Sequence, residues 1–81
     1  MKKGAKKRVK VYDKEGLTIL AKRLKEARAA KGWTQEELAY QSGIALSQIA
    51  RIETVAGNPT LSTILILAKS LKILPETLIS T

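Results

Sequence analysis

The stretch that decides the fold spans residues 32–53 and reads GWTQEELAYQSGIALSQIARIE. Near its start, Thr34 is followed three residues later by Glu37, which is the capping-box pattern of a helix N-terminus. The pattern predicts a short helix over residues 35–42. Gly43 ends this helix, because glycine readily adopts the backbone conformation that most residues resist.

A second helix is predicted directly after that glycine, over about residues 46–53. Ile49 and Ile52 recur at helical spacing and mark its inward side. Helix, glycine turn and helix at this spacing form a helix-turn-helix over about residues 35–54. An ordinary αα-hairpin would explain the apolar positions equally well. It would not explain why the helix over residues 46–53 begins with short, uncharged groups although the protein is basic. The positions of this helix that face outward or sideways are Leu46, Ser47, Gln48, Ala50 and Arg51.

Three further helices are predicted outside this stretch. Apolar residues at helical spacing predict one helix over residues 17–31 and another over about residues 61–72. Pro75 favours the start of a last short helix over residues 75–79. Leu, Ala, Lys and Glu dominate the composition and Phe is absent, which also favours an all-α fold. The 81 residues fit one small domain.

The charge of the chain points to a polyanionic partner. The net charge is +8 and the sequence pI is about 10.1, and such a surface attracts nucleic acid or anionic membrane. Residues 1–16 carry seven Lys or Arg against two acids and are interpreted as a basic, flexible N-terminal arm, with the domain in residues 17–81. The arm is either a solvated tail or a segment that lies on DNA phosphates.

The residue types argue against catalysis and against a cofactor. The chain has no His, no Cys and a single Asp, at position 13. Glu36 and Glu37 are adjacent and would point in different directions on a helix, so they do not form an acid/base pair. No group of carboxylates suggests a metal site. There is no apolar run long enough for a bilayer and no secretory signal, so a cytoplasmic protein that is not an enzyme is expected.

The segment LAKRLKEARAAKGWTQEELAYQSGIALSQIARIE resembles the Xre/Cro/C1-type helix-turn-helix of phage repressors and bacterial regulators. The resemblance runs from about residue 20 to residue 79. Its most specific parts are R-x-x-x-G-W-T-Q-x-E-L-A, a following G-I, and I-x-R-I-E. It implies a compact five-helix, lambda-repressor-like domain that binds double-stranded DNA as a dimer, with the third helix of the domain in the major groove.

The resemblance also implies which residues contact DNA. Gln35 matches a glutamine that contacts a backbone phosphate, and Thr34 lies at the same positive helix end. Gln48 and Arg51 can bond base edges or phosphates, and arginine bound bidentately to guanine is the commonest specific contact. In the loop after the third helix, Asn58 and Thr60 are candidates for phosphate contacts. The positions that match the DNA-facing part of the third helix are Ala45, Leu46, Ser47, Gln48 and Arg51.

One pair of charges is assigned a structural role by the same resemblance. The family places an arginine late in the first helix against a glutamate that ends the third, and Arg28 and Glu53 match these types. Two unrelated surface charges are the alternative. The chain also departs from the family pattern: Ala45 replaces the usual Ser or Thr cap, Thr54–Val55 replaces Arg-Gly, and Lys72 replaces a glycine.

The function predicted from the sequence is that of a sequence-specific, DNA-binding transcriptional regulator acting as a homodimer on an inverted repeat. One alternative is an antitoxin, similar to those that pair with HipA-type kinase toxins, that binds both DNA and a toxin protein. Another is a protein-interaction module that has lost specific DNA binding. No membrane and no small-molecule ligand are expected as partners. The predicted dimer surface consists of apolar residues in the C-terminal part: Ile66, Leu74, Leu78 and Ile79.

Overall fold

The fold is all-α, as the sequence predicts. A computed structural model describes residues 13–80, and within that range it contains five helices and no strand. Residues 1–12 of the predicted basic arm lie outside the described residues, whereas residues 13–16, predicted as part of the flexible arm, form the cap and first residues of α1. The helices are α1 (Lys14–Ala30), α2 (Gln35–Ser42), α3 (Leu46–Glu53), α4 (Leu61–Leu71) and α5 (Pro75–Ile79).

Helix α1 begins three residues earlier than the apolar spacing predicts. Asp13 occupies the N-cap, and its carboxylate accepts a hydrogen bond from the N–H of Gly16 at 3.0 Å. Such a cap satisfies one of the N–H groups that a helix start leaves without a partner. The added turn is solvent-exposed at Lys14 and Glu15, so it has no apolar pattern from which it could have been predicted.

The core lies where all five helices meet. Helix α1 packs against α3 and α5, α2 packs against α3 and α4, and α4 packs against α5. Each helix contributes at least one side chain to a continuous apolar cluster. The buried members are Leu20, Leu24, Leu38, Ile49, Ile52, Leu67, Ala68, Leu71 and Leu78.

Leu78 corrects one part of the predicted dimer surface. It belongs to α5, and the structure buries its side chain completely, at 0% exposure. Because α5 packs against both α1 and α4, this leucine fills the core of a single chain. It is therefore not available to a second copy, and the prediction was wrong for this residue.

Left-handed residues end four of the helices. Gly32 and Gly43 follow α1 and α2 with φ of 72° and 77°. Val55 and Lys72 follow α3 and α4 with φ of 57° and 58°. At the end of α3, the N–H of Val55 donates to the carbonyl of Ile52 at 3.2 Å, and the N–H of Ala56 donates to the carbonyl of Arg51 at 2.8 Å. These two bonds form the Schellman arrangement.

Val55 stands in a conformation that disfavours its side chain. Glycine adopts positive φ without strain, whereas a β-branched residue there is an outlier. We expect Val55→Gly to stabilise the fold by about 1 kcal/mol, because the strain of a left-handed L-residue, ~1–2 kcal/mol, exceeds the entropic cost of glycine. Urea unfolding monitored by circular dichroism measures the change.

Gly32 offers the matched control for that substitution. A Cβ added at Gly32 would have nothing within 4 Å, so Gly32→Ala changes only the backbone preference at φ 72°. We expect it to destabilise the protein by about 1 kcal/mol. A decrease of stability in Val55→Gly, with the expected decrease in Gly32→Ala, would show that Val55 makes a packing contribution larger than its strain.

Candidate nucleic-acid interface

Helix α3 separates an inward apolar face from an outward polar face. Ile49, Ile52 and Glu53 are buried against the other helices. The predicted DNA-facing residues lie on the other side and at the start of the helix. Among them Ala45, Leu46, Ser47 and Arg51 are exposed, and Gln48 is half-buried.

A bidentate ion pair fixes the end of α3 to the end of α1. The Nε and Nη2 atoms of Arg28 donate to the two carboxylate oxygens of Glu53 at 2.9 and 3.0 Å. The side chain of Glu53 is only 2% exposed and that of Arg28 is 19% exposed. The hydrogen bonding of Arg28 to the Glu53 carboxylate, together with the negative charge of Glu53, raises the pKa of Arg28 against the opposing effect of burial. The structure thus brings together the two charges that the sequence paired.

The pair has further partners that the sequence did not indicate. Nη1 of Arg28 donates to the backbone carbonyl of Trp33 at 2.9 Å, which ties the α1–α2 turn to the same arginine. Nε2 of Gln35 donates to Oε1 of Glu53 at 2.8 Å. Because an amide nitrogen carries two N–H groups, Gln35 has a second N–H beyond the one that it donates to Glu53. The start of α2 and the end of α3 are therefore held by one carboxylate.

The start of α2 faces an open groove of about 340 Å³. The hydroxyl of Thr34 caps the helix by accepting from the N–H of Glu37 at 3.0 Å, so it is engaged within the chain. A helix N-terminus carries partial positive charge and favours an anion. The residues that line the groove come from α1, α2 and α3: Arg28, Thr34, Gln35, Glu36 and Leu46.

The start of α3 lacks the cap that α2 has. Ala45 occupies the N-cap without a side-chain hydrogen bond, and Leu46 exposes 40% of its surface beside it. Gln48, one turn further on, reaches toward Thr63 of α4 at 3.5 Å, the outer limit of a hydrogen bond. The amide of Gln48 is thus almost free to bond another group, while the first two positions offer only apolar contact.

The loop between α3 and α4 closes the other side of the outward face. Nη2 of Arg51 donates to the Ala56 carbonyl at 3.0 Å, and Asn58 is exposed nearby. Thr60 instead caps α4, with its hydroxyl accepting from the N–H of Thr63 at 3.2 Å. An open notch of about 320 Å³ lies between α3 and the loop, and its lining includes Gln48, Arg51, Gly57, Asn58 and Pro59.

Exposed apolar side chains also lie on α4, on α5 and at the cap that precedes α5. Of the residues predicted to form a dimer contact, Ile66 is 40% exposed, Leu74 is 64% exposed and Ile79 is 51% exposed. Leu61 and Leu65 of α4 are also exposed and were not predicted. Their spacing of one helical turn matches a core-facing pattern, so the sequence alone did not separate them from the core. We call Leu61, Leu65, Ile66, Leu74 and Ile79 the apolar surface.

Neither a membrane span nor a metal cluster is found between residues 13 and 80. No helix in that range combines the length and the apolar character that crossing a bilayer requires. The same range holds no group of three or more His, Cys, Asp or Glu placed to bind a metal ion.

Comparison with protein families supports the prediction of a helix-turn-helix. The model of the helix-turn-helix family HTH_3 matches residues 24–78, which include α2, α3, α4 and most of α5. No curated protein sequence matches the chain.

Several solved structures are similar to the chain. The restriction-modification controller protein C.AhdI from Aeromonas hydrophila is 42% identical over 76% of this chain and 94% of its own, with a TM-score of 0.73. A hypothetical transcription factor, NHTF from Neisseria, is 30% identical over 89% of this chain and 84% of its own, with a TM-score of 0.78. The controller protein C.Esp1396I, solved as a tetramer in complex with its natural 35 base-pair operator, is 33% identical over 72% of this chain and 76% of its own, with a TM-score of 0.68.

Proposed function

The chain belongs to the helix-turn-helix family HTH_3, and we propose that it is a sequence-specific, DNA-binding transcriptional regulator. In this proposal α3 enters the major groove and the start of α2 contacts the phosphate backbone. Two copies bind an inverted repeat, with half-sites about one helical turn, roughly 10 bp, apart.

The strongest support for DNA binding comes from the outward face of α3. Ser47, Gln48 and Arg51 lie on that face, while the opposite face is anchored by the Arg28–Glu53 pair. A side chain can select a base edge only if the helix behind it is rigid, because a misplaced donor loses its hydrogen bond. The anchored helix, which carries the half-buried amide of Gln48 and the exposed guanidinium of Arg51, meets this requirement.

The remaining groups on the interface fit backbone contacts. Gln35 retains a free N–H beside the groove at the start of α2, and phosphates bind readily at helix N-termini. Asn58 reaches outward from the loop after α3. The hydroxyl oxygens of Thr34 and Thr60 accept the capping hydrogen bonds, so in a contact with DNA each hydroxyl would donate its proton to a phosphate oxygen.

The apolar surface supplies the contact between the two copies. A helical domain of this size gains stability by covering exposed leucine and isoleucine side chains. A two-fold axis would place the same surface of each copy together, and the two α3 helices would then face successive turns of one DNA groove. The likeness to two controller proteins and to a transcription factor favours a free-standing regulator over the alternative of a toxin-binding antitoxin.

Salt dependence tests DNA binding itself. We expect the logarithm of the association constant for a duplex to fall with the logarithm of salt concentration with a slope of about −5, if about six phosphates are contacted. Fluorescence anisotropy of a labelled duplex measures it, with the labelled duplex alone over the same salt range as the control. Affinity that barely changes with salt would contradict the proposal and favour an apolar protein-interaction module instead.

Arg51 is expected to select one base pair in each half-site. Arg51→Ala should weaken binding to the preferred duplex by about 1–3 kcal/mol and relax selectivity at that one position, since a bidentate arginine–guanine contact has this magnitude. Titrations against duplexes with single base-pair changes measure the effect. An equal loss on every duplex would assign Arg51 to a phosphate.

A further inference from the structure

The side chain of Arg51 lies against the turn that follows α3. Its Nη2 donates to the carbonyl of Ala56 at 3.0 Å, and the N–H of Ala56 donates to the Arg51 carbonyl at 2.8 Å. Residues 51 and 56 are therefore joined twice, once through the backbone and once through the side chain. A guanidinium group has five N–H donors, so four remain for another partner.

Gly57 supplies the space that this arrangement needs. Its φ lies outside the left-handed region, because within residues 13–80 only Gly32 and Gly43 are glycines with positive φ. The backbone thus does not require glycine at position 57. A Cβ built there would lie 3.5 Å from Nε and 3.6 Å from Cβ of Arg51. The absence of a longer side chain is what leaves the arginine stem room to lie along the turn.

The left-handed residue before this turn sets its direction. Val55 at φ 57° reverses the chain after α3, so that the carbonyl of Ala56 faces back toward Arg51. A residue in such a conformation persists only when its surroundings hold it there. The two hydrogen bonds between residues 51 and 56 are part of those surroundings.

We propose that Gly57 and the Ala56 carbonyl position the Arg51 guanidinium, and thereby determine which base pair this residue selects. The inference rests on the proposed function, because it concerns the same DNA-facing surface. Arginine loses considerable rotamer freedom when it binds. A side chain already held at one nitrogen loses less of it, and its remaining donors point in a defined direction before DNA arrives.

Two substitutions at position 57 distinguish the effect of a larger side chain from the effect of losing the backbone freedom of glycine. Gly57→Leu places a branched side chain against Arg51 and into the notch, and we expect it to displace the guanidinium. Its affinity for the preferred duplex should fall about 5- to 150-fold, the range of one lost bidentate contact, with selectivity lost at the Arg51 base pair. Gly57→Ala changes the backbone preference in the same way, but its Cβ would make ordinary contacts at 3.5–3.6 Å, so its loss of affinity and selectivity should be far smaller than that of Gly57→Leu.

A double-mutant cycle decides whether Gly57 acts through Arg51. In the Arg51→Ala background, Gly57→Leu should cause no further loss, since the side chain it displaces is already absent. Losses that multiply would overturn the positioning role. Urea unfolding of Gly57→Leu must match that of the wild type, and duplexes changed elsewhere in the site should show unaltered selectivity.

The free protein provides a readout that does not depend on DNA. The Arg51 Nε–H should give a more ordered ¹⁵N NMR signal than that of Arg23, an arginine whose pair with Glu26 spans 3.9 Å at the surface, and Gly57→Leu should abolish the difference. Equal mobility of Arg51 and Arg23 in the wild type would overturn the positioning role alone. An ordered Arg51 in a protein without duplex selectivity would instead overturn the proposed function, and with it the part of the inference that concerns base pairs.

Discussion

Replacing Arg28 by alanine is expected to destabilise the fold by about 3–5 kcal/mol, because it leaves the Glu53 carboxylate buried without its cation. The carboxylate is 2% exposed and receives two hydrogen bonds from Arg28 and one from Gln35. Gln35 cannot replace the lost charge. The turn between α1 and α2 also loses the contact from Arg28 to the Trp33 carbonyl. For a domain of this size, such a loss is a large part of the total stability.

Urea unfolding of Arg28→Ala at neutral pH measures this loss, and Arg23→Ala is the matched control. Arg23 lies on the same helix and pairs with Glu26 at 3.9 Å, with both side chains well exposed. Exposed pairs of this kind contribute about 0–1 kcal/mol, so the control should change little. A loss below about 1 kcal/mol in Arg28→Ala would mean that the buried pair contributes no more than a surface pair, against the role of anchoring α3.

Charge introduced into the apolar surface is expected to separate the two copies. Ile66→Glu should leave the monomer folded, because this side chain is 40% exposed and lies outside the buried core. Two like charges facing each other across a two-fold axis would oppose association. Loss of the linked second half-site should weaken binding to the inverted repeat by on the order of 10²- to 10⁴-fold, which makes this the largest expected effect on DNA binding.

Sedimentation velocity measures the association, and anisotropy on whole and half sites measures the binding. Tyr40→Glu is the control, since Tyr40 is 83% exposed but belongs to α2, outside the apolar surface. It should leave association unchanged. If Ile66→Glu associates as strongly as the wild type, the contact between the two copies does not involve Ile66. Equal affinity of the wild type for whole sites and half sites would contradict binding as a dimer.

The helix-turn-helix could be predicted from the sequence because its signals are local. The Thr34 cap, the Gly43 turn and the apolar spacing of α3 each act within a few residues, and the observed bounds of α2 and α3 agree with the prediction. The start of α1 was missed because its cap, Asp13, precedes an exposed turn without apolar residues. Caps without a neighbouring apolar pattern carry little information in a single sequence.

The parts that could not be predicted depend on contacts between distant elements. Leu78 and Leu74 are both leucines at the C-terminal end, yet one is wholly buried and the other is 64% exposed. Leu78 lies within α5, which packs against α1 and α4, whereas Leu74 precedes that helix. The bond from Gln35 to Glu53 joins residues 18 positions apart. The Arg28–Glu53 pair was proposed through resemblance, since two charges 25 positions apart have no local pattern.

Selection of bound duplexes from a random DNA pool tests sequence-specific DNA binding by α3. We expect the wild-type protein to enrich an inverted repeat with half-sites about one helical turn, roughly 10 bp, apart. We expect Arg51→Ala to enrich the same repeat with one base pair in each half-site no longer specified. A pool that remains as random after selection by the wild type as before it would contradict sequence-specific DNA binding by α3.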